Sequence, residues 1–195
     1  GNFAQEGVTQ SKRRKRPKRM TLEDIKAFKN QCPEIKQASP FLSFREIVMY
    51  QGTNLLCQIK GGDENFLDVA GRKIERGDFF TSHHVQKKSR VIVLGNKTAK
   101  DLFKTIDPVG QIVQIKGLEF KVIGIIEKIG KALGSQDPNF DSFIPYTTSK
   151  KYIHGVINNE IHGICISAKS VDQTQGLAKQ IRKILRSRHN LEPEE

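Results

Sequence analysis

The residues of this chain that could perform acid–base or metal chemistry are few and scattered. His83 and His84 are adjacent, and neighbouring residues on a strand point to opposite faces, so the pair is poorly placed to share a metal ion. The carboxylates of Glu119, Asp137 and Asp141 have no partner at a recognisable spacing, and carboxylates in glycine-rich loops usually form turns. The sequence therefore predicts no catalytic residues, no metal site and no cofactor site.

The cysteines do not suggest a disulfide scaffold or a zinc site. They are odd in number, widely spaced and without a CxxC pair: Cys32, Cys57 and Cys165. A structural zinc ion needs about four convergent ligands, which this spacing does not supply. Small buried thiols are therefore the favoured interpretation.

The net charge of +12 is concentrated at the N-terminus. Residues 1–20 carry seven basic side chains and one acidic one, and they contain too few apolar residues to fold on their own. We therefore predict a basic, flexible tail over residues 1–19. Three roles are open for it: contact with anionic lipid headgroups or an acidic partner, a solvated tether, or nucleic-acid binding or nuclear import through its RRKRPKR run. The residues at its centre are Arg13, Arg14, Lys15 and Arg16.

Hydrophobic periodicity and turn residues predict a chain of mixed α and β structure. Thr21 and Asp24 have the spacing of a capping box at the start of a helix. Val91–Leu94 is a run of four apolar residues, typical of a strand buried on both faces. Pro40 predicts two pieces or a bend in the first long strand. The predicted helices are 21–30, 97–103 capped by Asn96, and a last helix after a capping box at Ser170 and Gln173; the predicted strands are 34–50, 54–60, 91–94, 111–116, 119–127 and 161–168; a mobile loop is predicted over 128–142.

Short motifs follow one another along the chain in a characteristic order. They are Leu22-x-Asp24, Ile35-x-x-Ala38-x-Pro40, Gly77-x-Phe79-Phe80, Val91-x-Val93-Leu94-Gly95, Asp107-Pro108-Val109-Gly110, Phe120-x-Val122-Ile123-Gly124, Ile144-Pro145 and Arg186-x-Arg188-His189. With this order and spacing, the chain from Met20 to about His189 resembles the MacB-like periplasmic core domain of ABC-transporter permeases with four transmembrane helices, of the MacB, FtsX and LolC type.

The resemblance implies an α+β fold with two lobes. A porter-like α/β lobe would be formed by both chain ends, residues 20–62 and 146–190, and a mixed β/α lobe called Sabre would be inserted between them as residues 63–145. The hydrophobic pattern independently predicts that strands from the two chain ends pair and that the middle is an insertion. In the family, this domain lies between the first and second membrane helices, on the periplasmic or extracellular side of the cell inner membrane.

The function implied by the resemblance is mechanical and not enzymatic. ATP would be hydrolysed on a separate subunit or domain, since the chain has no GxxxxGK[ST] phosphate-binding motif. Movements of the membrane helices would be transmitted through a dimer of permeases to move substrate toward a periplasmic adaptor or to release a lipoprotein. The main alternative is an intracellular nucleic-acid-binding α/β domain with a basic N-terminal arm, and a third is a hydrolase. Basic residues beside a membrane helix normally mark its cytoplasmic side, which fits the permease interpretation poorly.

Loops carry the candidate partner contacts, because a rigid scaffold commonly presents its binding residues there. The aromatic pair Phe79 and Phe80 is one candidate, and the loop around 130–142 is the other. Aromatic residues in such positions also commonly anchor a loop on its own core. The predicted partner-contact residues are Phe79, Phe80, Gly134, Asp137 and Phe140.

Overall fold

The chain contains both helices and strands, as the sequence patterns predict. The computed structural model describes residues 19–130, 136–155 and 158–190. The helices are α1 (Leu22–Gln31), α2 (Phe66–Val69), α3 (Ser82–Lys87), α4 (Asn96–Phe103), α5 (Tyr146–Thr148), which continues as a π-helix (Ser149–His154), and α6 (Thr174–His189), with 3-10 turns at Pro138–Phe140 and Val171–Gln173. The strands are β1 (Ile35–Tyr50), β2 (Thr53–Gly62), β3 (Ile74–Gly77), β4 (Val91–Leu94), β5 (Ile112–Ile115), β6 (Leu118–Ile126), β7 (Asp141–Pro145) and β8 (Gly163–Ala168).

Six of these strands pair in a closed circuit, in the order β1, β2, β7, β4, β6, β5 and back to β1. The β2–β7 and β4–β6 pairs are parallel and the others are antiparallel. The circuit closes where Val48 and Met49 of β1 meet Ile115 and Gln114 of β5. The largest apolar cluster combines strand residues of this circuit with the buried face of α4, and includes Val48, Ile59, Ile92, Leu102, Phe103 and Phe120.

Strand β1 changes partner halfway along its length. Its first half, up to Phe41, pairs with β8, and its second half, from Leu42, pairs with β2. The strand is continuous through Pro40, so of the two predicted alternatives, two pieces or a bend, the division into two pieces is wrong. Pro40 instead stands beside the point where one partner strand replaces the other.

A second apolar cluster joins the two ends of the described chain. Helices α1 and α6 pack on the sheet formed by β8 and the first half of β1, with Phe28, Ala38, Leu177 and Ile184 buried between them. The predicted lobe boundaries at residues 62 and 146 stay a prediction. Pairing between β2 and β7 crosses them, because residues 58–62 lie beside residues 141–145.

Local signals give several elements correctly. Thr21 and Asp24 form the predicted capping box, and all four residues of β4 are buried. The β5–β6 hairpin turns at Lys116 and Gly117, one residue earlier than predicted. Both have positive φ, of 51° and 74°, as a tight two-residue hairpin turn requires.

Other local predictions are wrong. Asn96 is the first residue of α4, and Gly95 occupies the cap position. Helix α6 follows a 3-10 turn, and the Ser170 side chain makes no capping hydrogen bond. His83 and His84 lie on α3 and not on a strand. Residues 141–142 of the predicted loop belong to β7, whose five residues are all buried.

Candidate partner-contact surface

The segment at 136–140 is fixed by one buried asparagine. Asn139 is 1% exposed, and its Oδ1 accepts a hydrogen bond from the Ile129 N–H at 2.9 Å. Its Nδ2 donates to the Ile129 carbonyl at 2.8 Å and to Asp137 Oδ1 at 2.9 Å. The same Asp137 oxygen accepts from the Asn139 backbone N–H and so caps the 3-10 turn. The side chain of Asn139 therefore ties this segment to the chain leaving β6.

Helix α4 holds the same segment from the other side. The Lys97 ammonium pairs with Asp137 and lies 5.5 Å from the centre of the Phe140 ring. Thr98 Oγ1 donates to the Phe140 carbonyl at 2.9 Å. The Lys97 contact, helped by the Asn139 N–H, lowers the pKa of Asp137 to about 2. Asp137 is therefore a carboxylate at neutral pH, positioned by a cation and not poised for proton transfer.

The close approach of this segment to α4 depends on Gly95. A Cβ at this position would lie 2.4 Å from the Asn139 carbonyl oxygen and 2.6 Å from that of Asp141. Both of those atoms belong to the backbone, which cannot rotate away. The absence of a side chain at Gly95 thus lets β7 and the 3-10 turn pack directly on the start of α4.

The anchored segment leaves an aromatic ring at the surface, beside a groove. Phe140 remains 38% exposed although its backbone is fixed. The groove has a volume of about 380 Å³, and its lining includes Leu55, Leu56, Cys57, Thr98, Asp101 and Phe140. The lining thus combines apolar side chains with carboxylates and with other polar side chains, among them Arg45 and Gln58. Two predicted contact residues, Asp137 and Phe140, are thus brought together in its wall.

An exposed apolar patch adjoins this groove and was missed by the sequence analysis. Ile47 and Leu56 face each other across the β1–β2 ladder and are 50% and 54% exposed. Met49 and Ile112, on β1 and β5, are also exposed. The signal was available in the runs Ile47–Tyr50 and Leu55-Leu56, because consecutive apolar residues on a strand must place side chains on both faces.

The remaining predicted contact residues are not part of this surface. Phe80 is 2% exposed and stacks on Phe79 with ring centres 4.0 Å apart. Both pack in an apolar cluster with Phe143, so Phe80 offers no free surface to a partner in this conformation. Gly134 lies outside the described residues. So do the four basic residues of the tail, Arg13, Arg14, Lys15 and Arg16.

The environments of Cys32 and Cys57 agree with the predicted buried thiols, whereas Cys165 is partly exposed. Burial raises the pKa of Cys57 to about 11, and burial is also the main reason why the pKa values of Cys32 and Cys165 are raised. All three are unpaired. A thiol with a raised pKa is a poor nucleophile at neutral pH, so Cys57 contributes to the groove wall as a small apolar group.

Within the described ranges, no group of three or more His, Cys, Asp or Glu side chains is arranged to hold a metal ion. The His83 and His84 rings are 6.4 Å apart, and His84 Nδ1 accepts a hydrogen bond from the Thr81 N–H at 3.1 Å. His84 thus has a local structural role at the start of α3. None of the helices in the same ranges has the length and apolar character needed to cross a membrane.

Curated relatives resemble this chain over most of its length. A macrolide export ATP-binding/permease protein MacB from Neisseria meningitidis is 29% identical over 177 residues, which cover 91% of this chain and 27% of the relative. The MacB protein of Syntrophobacter fumaroxidans is 31% identical over 163 residues, covering 82% of this chain and 23% of that protein. The chain therefore spans about a quarter of the length of these relatives.

Solved structures share the fold. The periplasmic region of MacB from Actinobacillus actinomycetemcomitans superimposes with a TM-score of 0.75 and 23% identity, covering 94% of this chain and 81% of that one. The extracellular domain of the noncanonic ABC-type transporter YknZ from Gram-positive bacteria gives a TM-score of 0.72 at 22% identity, covering 89% and 86%. These likenesses confirm the predicted α+β fold with two lobes.

The family match decides which of the sequence interpretations applies. The family described as the MacB-like periplasmic core domain matches residues 2–184, nearly the whole chain. The predicted resemblance is thereby confirmed. The chain belongs to the family of MacB-like periplasmic core domains of ABC-transporter permeases.

Proposed function

We propose that this chain transmits ATP-driven conformational change within an ABC-transporter permease and contacts a partner protein on the outer side of the membrane. The observation that carries the proposal is the family match over residues 2–184. ATP would be hydrolysed by an ATP-binding subunit or domain of the same transporter, and the curated relatives are themselves named ATP-binding/permease proteins. The chain would lie on the periplasmic or extracellular side of the cell inner membrane.

The partner-contact surface in this proposal is the groove with Phe140 and Asp137 in its wall. Its support is the combination of an exposed aromatic ring and a backbone fixed by Asn139, Thr98 and Lys97. Buried aromatic anchors contribute strongly to protein interfaces, and a fixed backbone reduces the conformational entropy lost on binding. The partner would be a second permease copy, a periplasmic adaptor or a lipoprotein, so that substrate is exported or a lipoprotein released.

The basic tail over residues 1–19 would have a separate role, contact with the membrane surface. The four residues Arg13, Arg14, Lys15 and Arg16 would contact anionic headgroups of the membrane surface, to which each basic residue near the surface contributes about 1 kcal/mol. Binding of the chain to anionic vesicles should therefore decrease when residues 1–19 are deleted. Undiminished binding would leave the tail as a solvated tether.

The surface is tested by introducing a charge at Phe140 in the full-length permease. Phe140→Asp should reduce ATP-dependent export and the yield of photo-crosslinks from a probe placed at Leu56, because the aromatic anchor is lost. Val171→Asp is the matched control, since Val171 is 90% exposed and lies in the 3-10 turn before α6, outside the groove lining. Equal export and crosslinking in parent, variant and control would contradict the proposed surface.

A further inference from the structure

One buried carboxylate joins the first helix of the described chain to the last. Asp24 lies in the first turn of α1 and its side chain is 1% exposed. Its Oδ1 accepts a hydrogen bond from Arg188 Nε at 2.7 Å, and its Oδ2 lies 3.0 Å from His189 Nε2. Both partners belong to the last turn of α6 and are more than 160 residues away in sequence.

The Asp24 carboxylate has a hydrogen-bond partner in its own helix cap as well as in α6. Oδ2 also accepts from the Thr21 backbone N–H at 2.9 Å and so caps α1. Burial by itself raises the pKa of Asp24, but the contacts with Arg188, the Thr21 N–H and His189 outweigh it and lower the pKa below its ordinary value. Asp24 is therefore charged at neutral pH, and a buried charge is tolerated only with such partners.

The contact lies where the two helix ends meet. Helices α1 and α6 run antiparallel, since Asp24 meets Arg188 at one end and the Gln31 carbonyl accepts from Gln180 at the other. The Gln31–Gln180 bond is exposed, whereas the Asp24 contacts are buried or partly buried. The contacts of Asp24 are thus the stronger polar link between the two helices.

We propose that Asp24, Arg188 and His189 form a clamp that makes the start of α1 and the end of α6 one mechanical unit. The inference rests on the proposed function, and it takes from the family resemblance that motion would enter this domain through the segments before α1 and after α6. With the clamp closed, displacement of either segment moves both helices and the sheet beneath them. With the clamp open, the last turn of α6 would unwind locally and absorb the displacement.

The clamp is tested first in the chain alone, by amide hydrogen exchange. Asp24→Asn and Arg188→Gln should each speed exchange at residues 186–190 by about 10-fold or more, since a charged hydrogen bond is removed from a buried site. The double variant should exchange no faster than the faster single variant, because both remove the same contact. Controls are Glu23→Gln, an exposed carboxylate in the same turn, and Arg182→Gln, an exposed cation on α6.

Two results would overturn the clamp. One is exchange at residues 186–190 that rises no more in Asp24→Asn than in Glu23→Gln. The other is additive effects of the two single substitutions. If Asp24→Asn does not fold, His189→Gln replaces it in the test. This variant leaves the capping bond between Asp24 and Thr21 in place. It should still speed exchange in the last turn several-fold.

A second measurement separates the clamp from the proposed function. In the full-length permease, Arg188→Gln should lower export several-fold while ATP hydrolysis continues, and Arg182→Gln should leave both unchanged. Faster exchange with undiminished export would overturn the transmission role of the clamp. A parent permease without ATP-dependent export would instead refute the proposed function, and the exchange data would still decide whether the ends are clamped.

Discussion

Replacing Asn139 by alanine is expected to destabilise the whole chain and to release the segment that presents Phe140. The substitution removes the three side-chain hydrogen bonds that Asn139 makes with the Ile129 N–H, the Ile129 carbonyl and Asp137. Each is worth about 0.5–1.5 kcal/mol net. We therefore expect Asn139→Ala to lower the free energy of unfolding by about 3 kcal/mol.

The assay is equilibrium unfolding in urea, followed by circular dichroism. A lower midpoint with an unchanged slope would mean that the native state has lost stability without a change in the surface exposed on unfolding. Gln136→Ala is the matched control, because Gln136 is an exposed residue of the same segment. Substitutions at such positions usually change stability by about 0.5 kcal/mol or less. A loss below about 1 kcal/mol in Asn139→Ala, or one equal to the control, would refute the reasoning.

Asn139→Asp tests the direction of the hydrogen bonds. A carboxylate could still accept from the Ile129 N–H, but its other oxygen would face the Ile129 carbonyl and the Asp137 carboxylate, to which Nδ2 now donates. We expect this variant to be less stable than Asn139→Ala at neutral pH and to recover part of the difference in acid. Equal stability of the two variants at all pH values would contradict the reasoning that the Ile129 carbonyl and the Asp137 carboxylate require a hydrogen-bond donor at this position.

The remaining predictions concern Gly95 at the start of α4, the ion pair of Lys97 with Asp137, and the clamp. Gly95→Ala should lower the free energy of unfolding by about 1–3 kcal/mol in the same urea assay, because its Cβ would meet two carbonyl oxygens; an unchanged midpoint would contradict it. Lys97→Met should raise the pKa of Asp137 from about 2 toward its ordinary value, as followed by NMR titration of the carboxyl carbon, and an unmoved titration would exclude Lys97 as the cause. The lowered pKa of Asp24 means that its contribution to stability is present above the unfolded pKa of about 3.9 and is lost as the pH falls through the folded pKa. The stability difference between parent and Asp24→Asn should therefore shrink as the pH falls below the unfolded pKa and through the folded one, and a constant difference would contradict the assignment.

The candidate surface was only partly predictable from the sequence. Phe140 and Asp137 were predicted because they lie in a loop rich in glycine and polar residues, and loops commonly carry binding residues. Leu56 and Ile47 were missed, although both lie in consecutive apolar runs. Such runs show that a strand is apolar on both faces, but they do not say which face has another layer over it.

The misassigned start of β7 has a tertiary cause. Asp141 and Ser142 look like loop residues, yet they begin a buried strand, because Lys60 lies 3.0 Å from the Asp141 carboxylate and Ser142 Oγ accepts from the Gly95 N–H. Their partners come from distant parts of the chain. A local pattern reports a residue's own polarity and not the partners that make its burial possible.

By itself, the sequence determined the features that depend on neighbouring residues. The capping box of Thr21 and Asp24 and the buried run Val91–Leu94 each follow from local chemistry. The order of motifs also identified the family. Periodicity, capping and turn preferences act over a few residues, so they can be read without knowing the fold.

Only the tertiary structure decided what those elements do together. It closed six strands into a circuit, gave Asp24 its second set of partners at Arg188 and His189, and left Phe140 exposed beside the groove. These outcomes depend on pairs of residues that are far apart along the chain. The free energy of these contacts is gained only after distant parts of the chain have been brought together. No local sequence pattern encodes that step.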